Sequence, residues 1–180
     1  MQCTTEVLSS AGELRVARKM EERQTLKQAT KLWQEAYRYQ MEGELDRAIA
    51  LYRHSIETYP TAEAHTFLGW AMSFQGRLDE ATQECLRAIE IDSEFGNPYN
   101  DIGVYLIQQD KLNESIPWLE KAKQAKRYEP RQYPFMNLGR IYLRQGRWWE
   151  ALHELEGAVR LAPRDVGAAK MLHHLRARLN

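Results

Sequence analysis

Residues 36–60, AYRYQMEGELDRAIALYRHSIETYP, contain the pattern that decides the fold of this 180-residue chain. Gly43 stands between two helix-prone runs, with the small residue Ala36 seven positions before it and Ala48 shortly after it. A glycine at such a point can adopt positive φ and end a helix without steric cost. Pro60 then stops the second run, because proline cannot continue a helix. The stretch therefore predicts two antiparallel helices joined by a tight turn.

The same pattern recurs three more times along the chain. Its turn residues are spaced 33, 34 and 36 residues apart: Gly43, Gly76, Asp110 and Gly146. A small residue stands seven positions before each turn: Ala36, Gly69, Gly103 and Gly139. A bulky residue and then a small one follow each turn: Tyr52 and Ser55, Cys85 and Ala88, Leu119 and Ala122, Leu155 and Ala158. Two short helices cannot bury their apolar faces alone, so we expect the units to stack into one continuous core.

This repeated pattern resembles the tetratricopeptide repeat, which has a small residue in its first helix, alanine and an aromatic residue in its second, and a closing proline. The resemblance implies an all-α, right-handed α-solenoid of about four tandem helix-turn-helix units with a C-terminal capping helix. The predicted organisation is an N-terminal, partly helical segment at 1–28, repeats at 29–61, 62–95, 96–131 and 132–163, and the capping helix at 164–180.

The charged N-terminal segment is compatible with a cap, an extension of the first repeat helix, or a partly ordered arm. The regular pattern is broken in three places, the first of which is Ser93, where the second unit should close with proline. Asp110 replaces glycine at the third turn, and aspartate tolerates the left-handed region better than most residues. The junction at 126–134 is two residues longer than its equivalents and contains two prolines, which predicts a longer loop. Asp165 is a suitable N-cap for the capping helix.

The composition is that of a globular protein. Hydrophobic residues make up 43% and charged residues 28%, and the formal net charge of zero argues against nucleic-acid binding. The sequence has no apolar run of about 18 residues that would span a membrane. The first ten residues lack the basic and apolar regions of a signal peptide, and two cysteines provide no disulfide framework. We therefore expect a cytoplasmic protein without a membrane span.

Catalytic and metal-binding signatures are absent from the sequence. None of the five histidines has a metal-ligand spacing: His54, His65, His153, His173 and His174. The sequence also contains no glycine-rich phosphate loop and no nucleophile motif of the hydrolases. We therefore predict that the chain is not an enzyme and holds no metal or cofactor.

In the tetratricopeptide family the first helices of the units line a concave face, so the resemblance implies a peptide-binding groove there. The candidate groove residues, unit by unit, are Trp33, Tyr37 and Gln40; Glu63, Thr66, Trp70, Ser73 and Phe74; Asn97, Asn100, Val104 and Gln108; Tyr133, Met136, Arg140 and Arg144. Aromatic residues and arginine are the side chains that most often anchor interfaces. A ligand with an apolar end and an acidic end would match this set. The interpretation that Trp33, Tyr37 and Trp70 instead pack against the N-terminal segment or neighbouring helices stays open.

Charge is divided unequally along the chain. Residues 1–95 carry 11 Lys/Arg and 16 Asp/Glu, a net charge of −5, and residues 96–180 carry 14 and 9, a net charge of +5. The sequence is compatible with ordinary variation of solvated charge and with a basic surface for an acidic partner. The first hypothesis is an adaptor that binds a partner peptide or helix in the groove. The alternative is a structural or oligomerisation unit that assembles head to tail within a larger complex.

One familiar ligand class does not match the groove. Family members that bind the carboxyl-terminal tails of chaperones hold the terminal carboxylate with a set of Lys, Asn and Arg side chains. In this chain the corresponding places are occupied by Trp33, Tyr37 and Phe67. We therefore do not expect a chaperone tail as the ligand.

Overall fold

The computed structural model describes the backbone of residues 3–179 and the side chains of residues 12–179. The helices within that range are α1 (Cys3–Met41), α2 (Leu45–Thr58), α3 (Ala62–Phe74), α4 (Leu78–Ile91), α5 (Asn97–Gln108), α6 (Leu112–Gln124), α7 (Gln132–Arg144), α8 (Trp148–Leu161) and α9 (Val166–Leu179). Helices α1 to α8 pack as four successive hairpins, and α9 packs on α8. The predicted all-α architecture is confirmed.

The first helix runs without interruption from Cys3 to Met41, across the predicted boundary at residue 28. The N-terminal segment is thus an extension of the first repeat helix, which is one of the three arrangements that its sequence allowed. Contact with α2 begins where α1 becomes buried: Ala29 is 1% exposed, and its carbonyl oxygen accepts a hydrogen bond from Ser55 Oγ at 2.8 Å. Residues 12–24 of α1 are exposed to solvent.

The four turn residues all have the left-handed backbone that the pattern predicted. Their φ angles are 85° at Gly43, 75° at Gly76, 62° at Asp110 and 71° at Gly146. In each turn a backbone amide bonds back to the carbonyl five residues earlier, as in Arg77 N to Met72 O at 3.2 Å. These bonds satisfy carbonyl groups that the end of a helix leaves free, so each first helix stops at a defined residue.

Small residues bring the two helices of a unit into close contact. The alanine or serine five residues after each turn residue is completely buried: Ala48, Ala81, Ser115 and Ala151. A Cβ added at Gly69 would lie 2.7 Å from the carbonyl oxygen of Ala81, so α3 touches the backbone of α4 itself. Bulky residues such as Tyr52, Leu119 and Leu155, each 0% exposed, fill the remaining space.

The junction between α6 and α7 is a non-helical loop at residues 125–131, which confirms the longer loop predicted there. Its backbone pairs with the loop before α5: Gly96 N bonds to Arg127 O at 2.9 Å, and Arg127 N bonds to Glu94 O at 3.0 Å. The Arg127 side chain lies 2.6 Å from both Asp92 Oδ2 and Glu63 Oε1. These contacts hold the loop against the second and third units.

The last helix closes the solenoid as predicted. Asp165 Oδ1 accepts a hydrogen bond from Ala168 N at 2.9 Å, so Asp165 is the N-cap of α9. Leu172 and Leu175 of α9 pack against Ala151 and Leu155 of α8, which would otherwise expose an apolar face. Between Cys3 and Leu179, none of the helices combines the length and the apolar character needed to span a bilayer.

Candidate binding groove

Helices α3, α5 and α7 line a groove that encloses a cavity of about 460 Å³. Its lining residues are Thr66, Phe67, Trp70, Ser73, Phe74, Asn97, Asn100, Asp101, Val104, Tyr105, Gln108, Tyr128, Pro130, Tyr133 and Asn137. The structure therefore brings together the residues predicted on α3 and α5, apart from Glu63, and with them Tyr133, which was predicted on α7. They meet because helix positions three or four residues apart share one face.

Five aromatic side chains form a continuous strip along α1 and α3, which we call the aromatic wall: Trp33, Tyr37, Phe67, Trp70 and Phe74. Phe67 lies at its centre, with ring centroids 5.1 Å from Trp33, 5.5 Å from Tyr37 and 5.7 Å from Trp70. Trp33 and Tyr37 pack on Phe67 of the neighbouring helix α3 and do not line the cavity. For these two residues the structure therefore favours packing between helices over contact with a ligand in the groove. Trp70 and Phe74 do line the cavity, and Phe74 is 60% exposed.

A chain of polar side chains crosses the floor of the groove from α7 to α5. Arg140 Nη1 donates to Asn137 Oδ1 at 3.0 Å, and Asn137 Nδ2 donates to Asn100 Oδ1 at 3.0 Å. Asn100 Nδ2 then donates to Asp101 Oδ1 at 3.3 Å. Both asparagines are buried, so the bonds hold their amides in one orientation. Asp101 is the final acceptor of this chain.

Asp101 is the acidic side chain of the cavity, and it keeps part of its surface in contact with solvent. Burial by the surrounding helices nevertheless raises the pKa of its carboxyl group to about 7, against the lowering effect of the hydrogen bond from Asn100. The titratable groups that face it are Cys85 of α4, Tyr105 of α5 and Tyr128 of the junction loop. Burial, and then the Asp101 charge, raise the pKa of each, so all three are neutral at pH 7.

Tyr105 also lines this cavity, and its hydroxyl group is buried beside Ser73 and Cys85. The residue is 2% exposed, and its OH finds no donor or acceptor among the described residues. The Ser73 hydroxyl, which also lines the cavity, donates to Trp70 O at 2.7 Å. Buried polar groups in folded proteins almost always have a partner, so an unpaired hydroxyl beside a cavity indicates a place for one.

Met136 does not line the groove, and its prediction as a groove residue is wrong. The side chain is 5% exposed and packs with Ala158 and Ala168, between α7, α8 and α9. At about 100° per residue, Met136 lies roughly 60° around α7 from Tyr133 and roughly 40° from Arg140. That rotation turns it from the concave face toward the next helices.

The remaining predicted residues lie at the borders of the groove or outside it. Gln40 is buried and accepts a hydrogen bond from the Tyr52 hydroxyl at 2.8 Å. Glu63 forms its ion pair with the junction loop. Arg140 and Arg144 are both exposed beyond the cavity, and Arg144 lies 2.6 Å from Asp110 Oδ1. Of the two arginines, Arg140 is the one connected to the groove floor.

Sequence reasoning missed several lining residues for two different reasons. Asn137 stands four residues after Tyr133 and three before Arg140, and Asp101 stands four after Asn97. Helical spacing alone could have found both of them. Tyr128 and Pro130 reach the groove from the junction loop. The repeat spacing applies to helices, so it does not predict which residues of this loop face the groove.

The buried histidine of the chain has a structural role. His65 Nδ1 lies 2.7 Å from Glu84 Oε2, and Arg87 Nη1 donates to Glu84 Oε1 at 2.7 Å. This network joins α3 to α4, and its residues do not line the groove cavity. Among the side chains at residues 12–179, no three His, Cys, Asp or Glu residues converge in a way that could hold a metal ion.

Some cations of the basic half are paired within the chain. Arg127 binds Asp92 and Glu63 of the acidic half, at 2.6 Å each. Lys123 Nζ lies 3.0 Å from Glu154 Oε1. Charges of the acidic half and of the basic half therefore form ion pairs within one molecule. Those charges are not free to bind a partner.

The chain is similar to known proteins with the same kind of repeat. The family model described as tetratricopeptide repeat matches residues 34–94, so the resemblance is confirmed for that stretch. A curated relative, the type IV pilus assembly protein PilF of Pseudomonas aeruginosa, is 29% identical over 126 residues. The match covers 68% of this chain and 49% of the relative, so the chain spans about half the length of the curated relative it matches.

Solved structures have the same architecture. The structure of Pseudomonas aeruginosa PilF is similar with a TM-score of 0.78 and 24% identity, covering 85% of this chain and 70% of that one. PilW, a type IV pilus biogenesis factor, has a TM-score of 0.74 and 19% identity, covering 83% and 69%. MamA has a TM-score of 0.64 and 18% identity, covering 79% and 83%. At these identities the likeness shows the fold, an all-α tetratricopeptide solenoid.

Proposed function

We propose that this chain is a non-catalytic adaptor that binds a peptide or helix of a partner protein in the groove of α3, α5 and α7. The observation that carries the proposal is the juxtaposition of exposed aromatic rings with buried amides across one cavity. Phe74 is 60% exposed and Tyr133 is 44% exposed, beside the bonded pair Asn100 and Asn137. Aromatic side chains anchor protein interfaces, and amides can bond a peptide backbone.

The relatives support a protein partner that belongs to an assembled complex. The curated relative is named as a type IV pilus assembly protein, and PilW is described as a pilus biogenesis factor. Both descriptions concern the building of a pilus. By analogy we propose that this chain works in the assembly of a protein complex, and its cytoplasmic location stays a prediction.

Replacing Phe74 with serine should remove an aromatic anchor without disturbing the fold. Because the side chain is already 60% exposed, we expect helicity and thermal stability to stay close to wild type. Recovery of groove-bound partners should fall about tenfold or more, the loss typical of an interface anchor. The measurement is affinity capture from cells that make the protein, with quantitative mass spectrometry of the recovered proteins.

The matched control for this experiment is Trp149→Ser. Trp149 is 71% exposed on α8 and does not line the cavity, so the same kind of substitution is made outside the groove. Partners of the groove should be lost with Phe74→Ser and retained with Trp149→Ser. Equal recovery with both variants would contradict a role for the groove.

We further propose that the bound segment has an acidic stretch that reaches Arg140 and Arg144. The double variant Arg140→Glu/Arg144→Glu should reduce capture of the same partners about tenfold and leave helicity intact, because both side chains are exposed. Capture should also weaken as salt is raised in the wild-type protein, since exposed charges are screened. Unchanged recovery with the double variant would show that the acidic stretch does not exist.

A further inference from the structure

Asp101 is a carboxylate in a groove that does not supply it with a cation. Its hydrogen bond comes from the neutral amide of Asn100. The two arginines at the nearby end of the solenoid are engaged elsewhere, since Arg140 donates to Asn137 and Arg144 pairs with Asp110. A desolvated carboxylate without an opposite charge is stabilised most by a ligand that brings one.

Tyr105 adds a second acceptor beside the first. It follows Asp101 by four residues on α5, so the two side chains lie on one face of the helix, with Cβ atoms about 5–6 Å apart. Both line the cavity, and the hydroxyl of Tyr105 is buried without a hydrogen-bond partner. A phenol oxygen accepts hydrogen bonds from ammonium and guanidinium groups, which themselves can only donate.

The walls of the cavity suit the rest of a basic side chain. Trp70, Phe74 and Tyr133 line the same space as Asp101. Lysine and arginine lay their aliphatic stems against apolar surface while the charged end finds polar partners. A cation close to the face of an aromatic ring gains a further attraction. An acidic side chain at this place would instead meet the negative charge of Asp101.

We infer that Asp101 and Tyr105 form an acceptor site for one lysine or arginine side chain of the bound segment. This inference rests on the proposed function, because it names which residue type the groove recognises. The segment then has an apolar residue at the aromatic wall, a basic residue at Asp101 and acidic residues toward Arg140. The order follows the second, third and fourth units along the groove.

The test begins with a phage-displayed library of random peptides of about twelve residues, selected on the full chain. Groove peptides are those whose binding is lost with Phe74→Ser and kept with Trp149→Ser. We expect these peptides to share a lysine or arginine at one fixed position. A synthetic, fluorescently labelled copy of the best peptide then serves as the probe for affinity by fluorescence polarisation.

Removing the charge of Asp101 and removing the charge of the basic residue in the peptide should weaken binding of the probe by the same factor. Asp101→Asn should raise the Kd about tenfold, and Tyr105→Phe about threefold, because each removes a hydrogen bond to a charged group. Replacing the basic residue of the peptide with glutamine should also raise the Kd about tenfold. Combined with Asp101→Asn, that replacement should cause little additional loss, since the two groups act on each other.

Glu90→Gln is the matched control, because Glu90 is exposed on α4 and lies outside the cavity. This variant should bind the probe as the wild type does. Circular dichroism checks that all variants keep their helices. If Asp101→Asn acted only by disturbing the structure, it would weaken binding of the probe and of its glutamine variant by the same factor. Non-additive losses would therefore indicate direct contact between Asp101 and the basic residue.

The pH dependence of binding provides an independent measurement. The pKa of Asp101 near 7 means that the carboxylate takes up a proton on going from pH 8 to pH 6, while the basic residue of the probe stays charged. Wild-type affinity should therefore fall up to about tenfold over that range. Cys85, Tyr105 and Tyr128, which face Asp101, stay neutral throughout. Asp101→Asn should bind the probe equally at both values.

The possible outcomes separate the inference from the function on which it rests. If no peptide is lost with Phe74→Ser, the groove does not bind peptides and the proposed function fails. If groove peptides are found without a common basic residue, or if Asp101→Asn binds them as tightly as wild type, the inference is overturned and the function stands. Enrichment of acidic residues at the Asp101 position would overturn it as well.

Discussion

Replacing Asp101 with asparagine is expected to raise the free energy of unfolding at pH 8 by about 3 kcal/mol. In the folded protein burial raises the pKa of this carboxyl group to about 7, from its ordinary value of 3.8. At pH 8 the folded protein must therefore keep a desolvated charge that the unfolded chain exposes to water. Asparagine has the same shape and can still accept the hydrogen bond from Asn100, so it removes the charge alone.

The sign of the effect follows from proton uptake. Between the unfolded and folded pKa values the folded state holds a proton that the unfolded state has released, so the contribution of Asp101 to stability falls as pH rises from about 4 to 7. A complete shift would amount to roughly 4 kcal/mol, and the solvent contact of the side chain reduces it. Urea unfolding at pH 4.5 and pH 8 measures the difference between the two proteins, which should fall to about 1 kcal/mol at the lower pH, where the unfolded carboxyl group is still mostly ionised.

The control again is Glu90→Gln, which neutralises a carboxylate on an exposed part of α4. We expect it to change the free energy of unfolding by less than about 0.5 kcal/mol at either pH. If Asp101→Asn were neutral or destabilising at pH 8, the carboxylate would be stabilised within the folded chain. An internal partner of that kind would also remove the reason for a basic ligand.

Gly69→Ala is expected to lower the free energy of unfolding by about 2 kcal/mol. The added Cβ would lie 2.7 Å from the carbonyl oxygen of Ala81 and 3.4 Å from Cys85 Sγ. A backbone oxygen cannot rotate away as a side chain can, so α3 must move off α4. The gain of about 1 kcal/mol that alanine normally brings to a helix is smaller than the cost of that displacement. Urea unfolding followed by circular dichroism measures the effect.

Gly12→Ala makes the same substitution where a Cβ meets nothing within 4 Å. Gly12 lies on the exposed part of α1, and we expect this variant to be as stable as wild type or slightly more stable. The contrast isolates the close approach of the helices from the general effect of alanine in a helix. A Gly69→Ala variant as stable as the Gly12→Ala variant would mean that the two helices have room to spare.

Much of the candidate groove could be predicted because it is built from regular helices. A fixed distance from each turn residue is enough to place Trp70, Phe74 and Asn100 on the concave face. The same reasoning placed Met136 there, although a rotation of about 60° is enough to carry a side chain into the core. Whether a residue near the edge of a helical face lies in the groove or in the core depends on the helices packed around it. A repeat pattern does not specify those neighbours.

The repeat pattern by itself determined that the chain is an α-helical tetratricopeptide solenoid. It also determined where each first helix ends, because turn residues and small residues act through local backbone geometry. Only the tertiary structure decided that α1 continues as one helix through the N-terminal segment and that Tyr128 joins the groove. It also decided that Asp101 has no cation beside it and that the Tyr105 hydroxyl has no hydrogen-bond partner among the described residues. Burial and unpaired polar atoms depend on every helix that surrounds a residue, and the order of residues along one helix does not contain them.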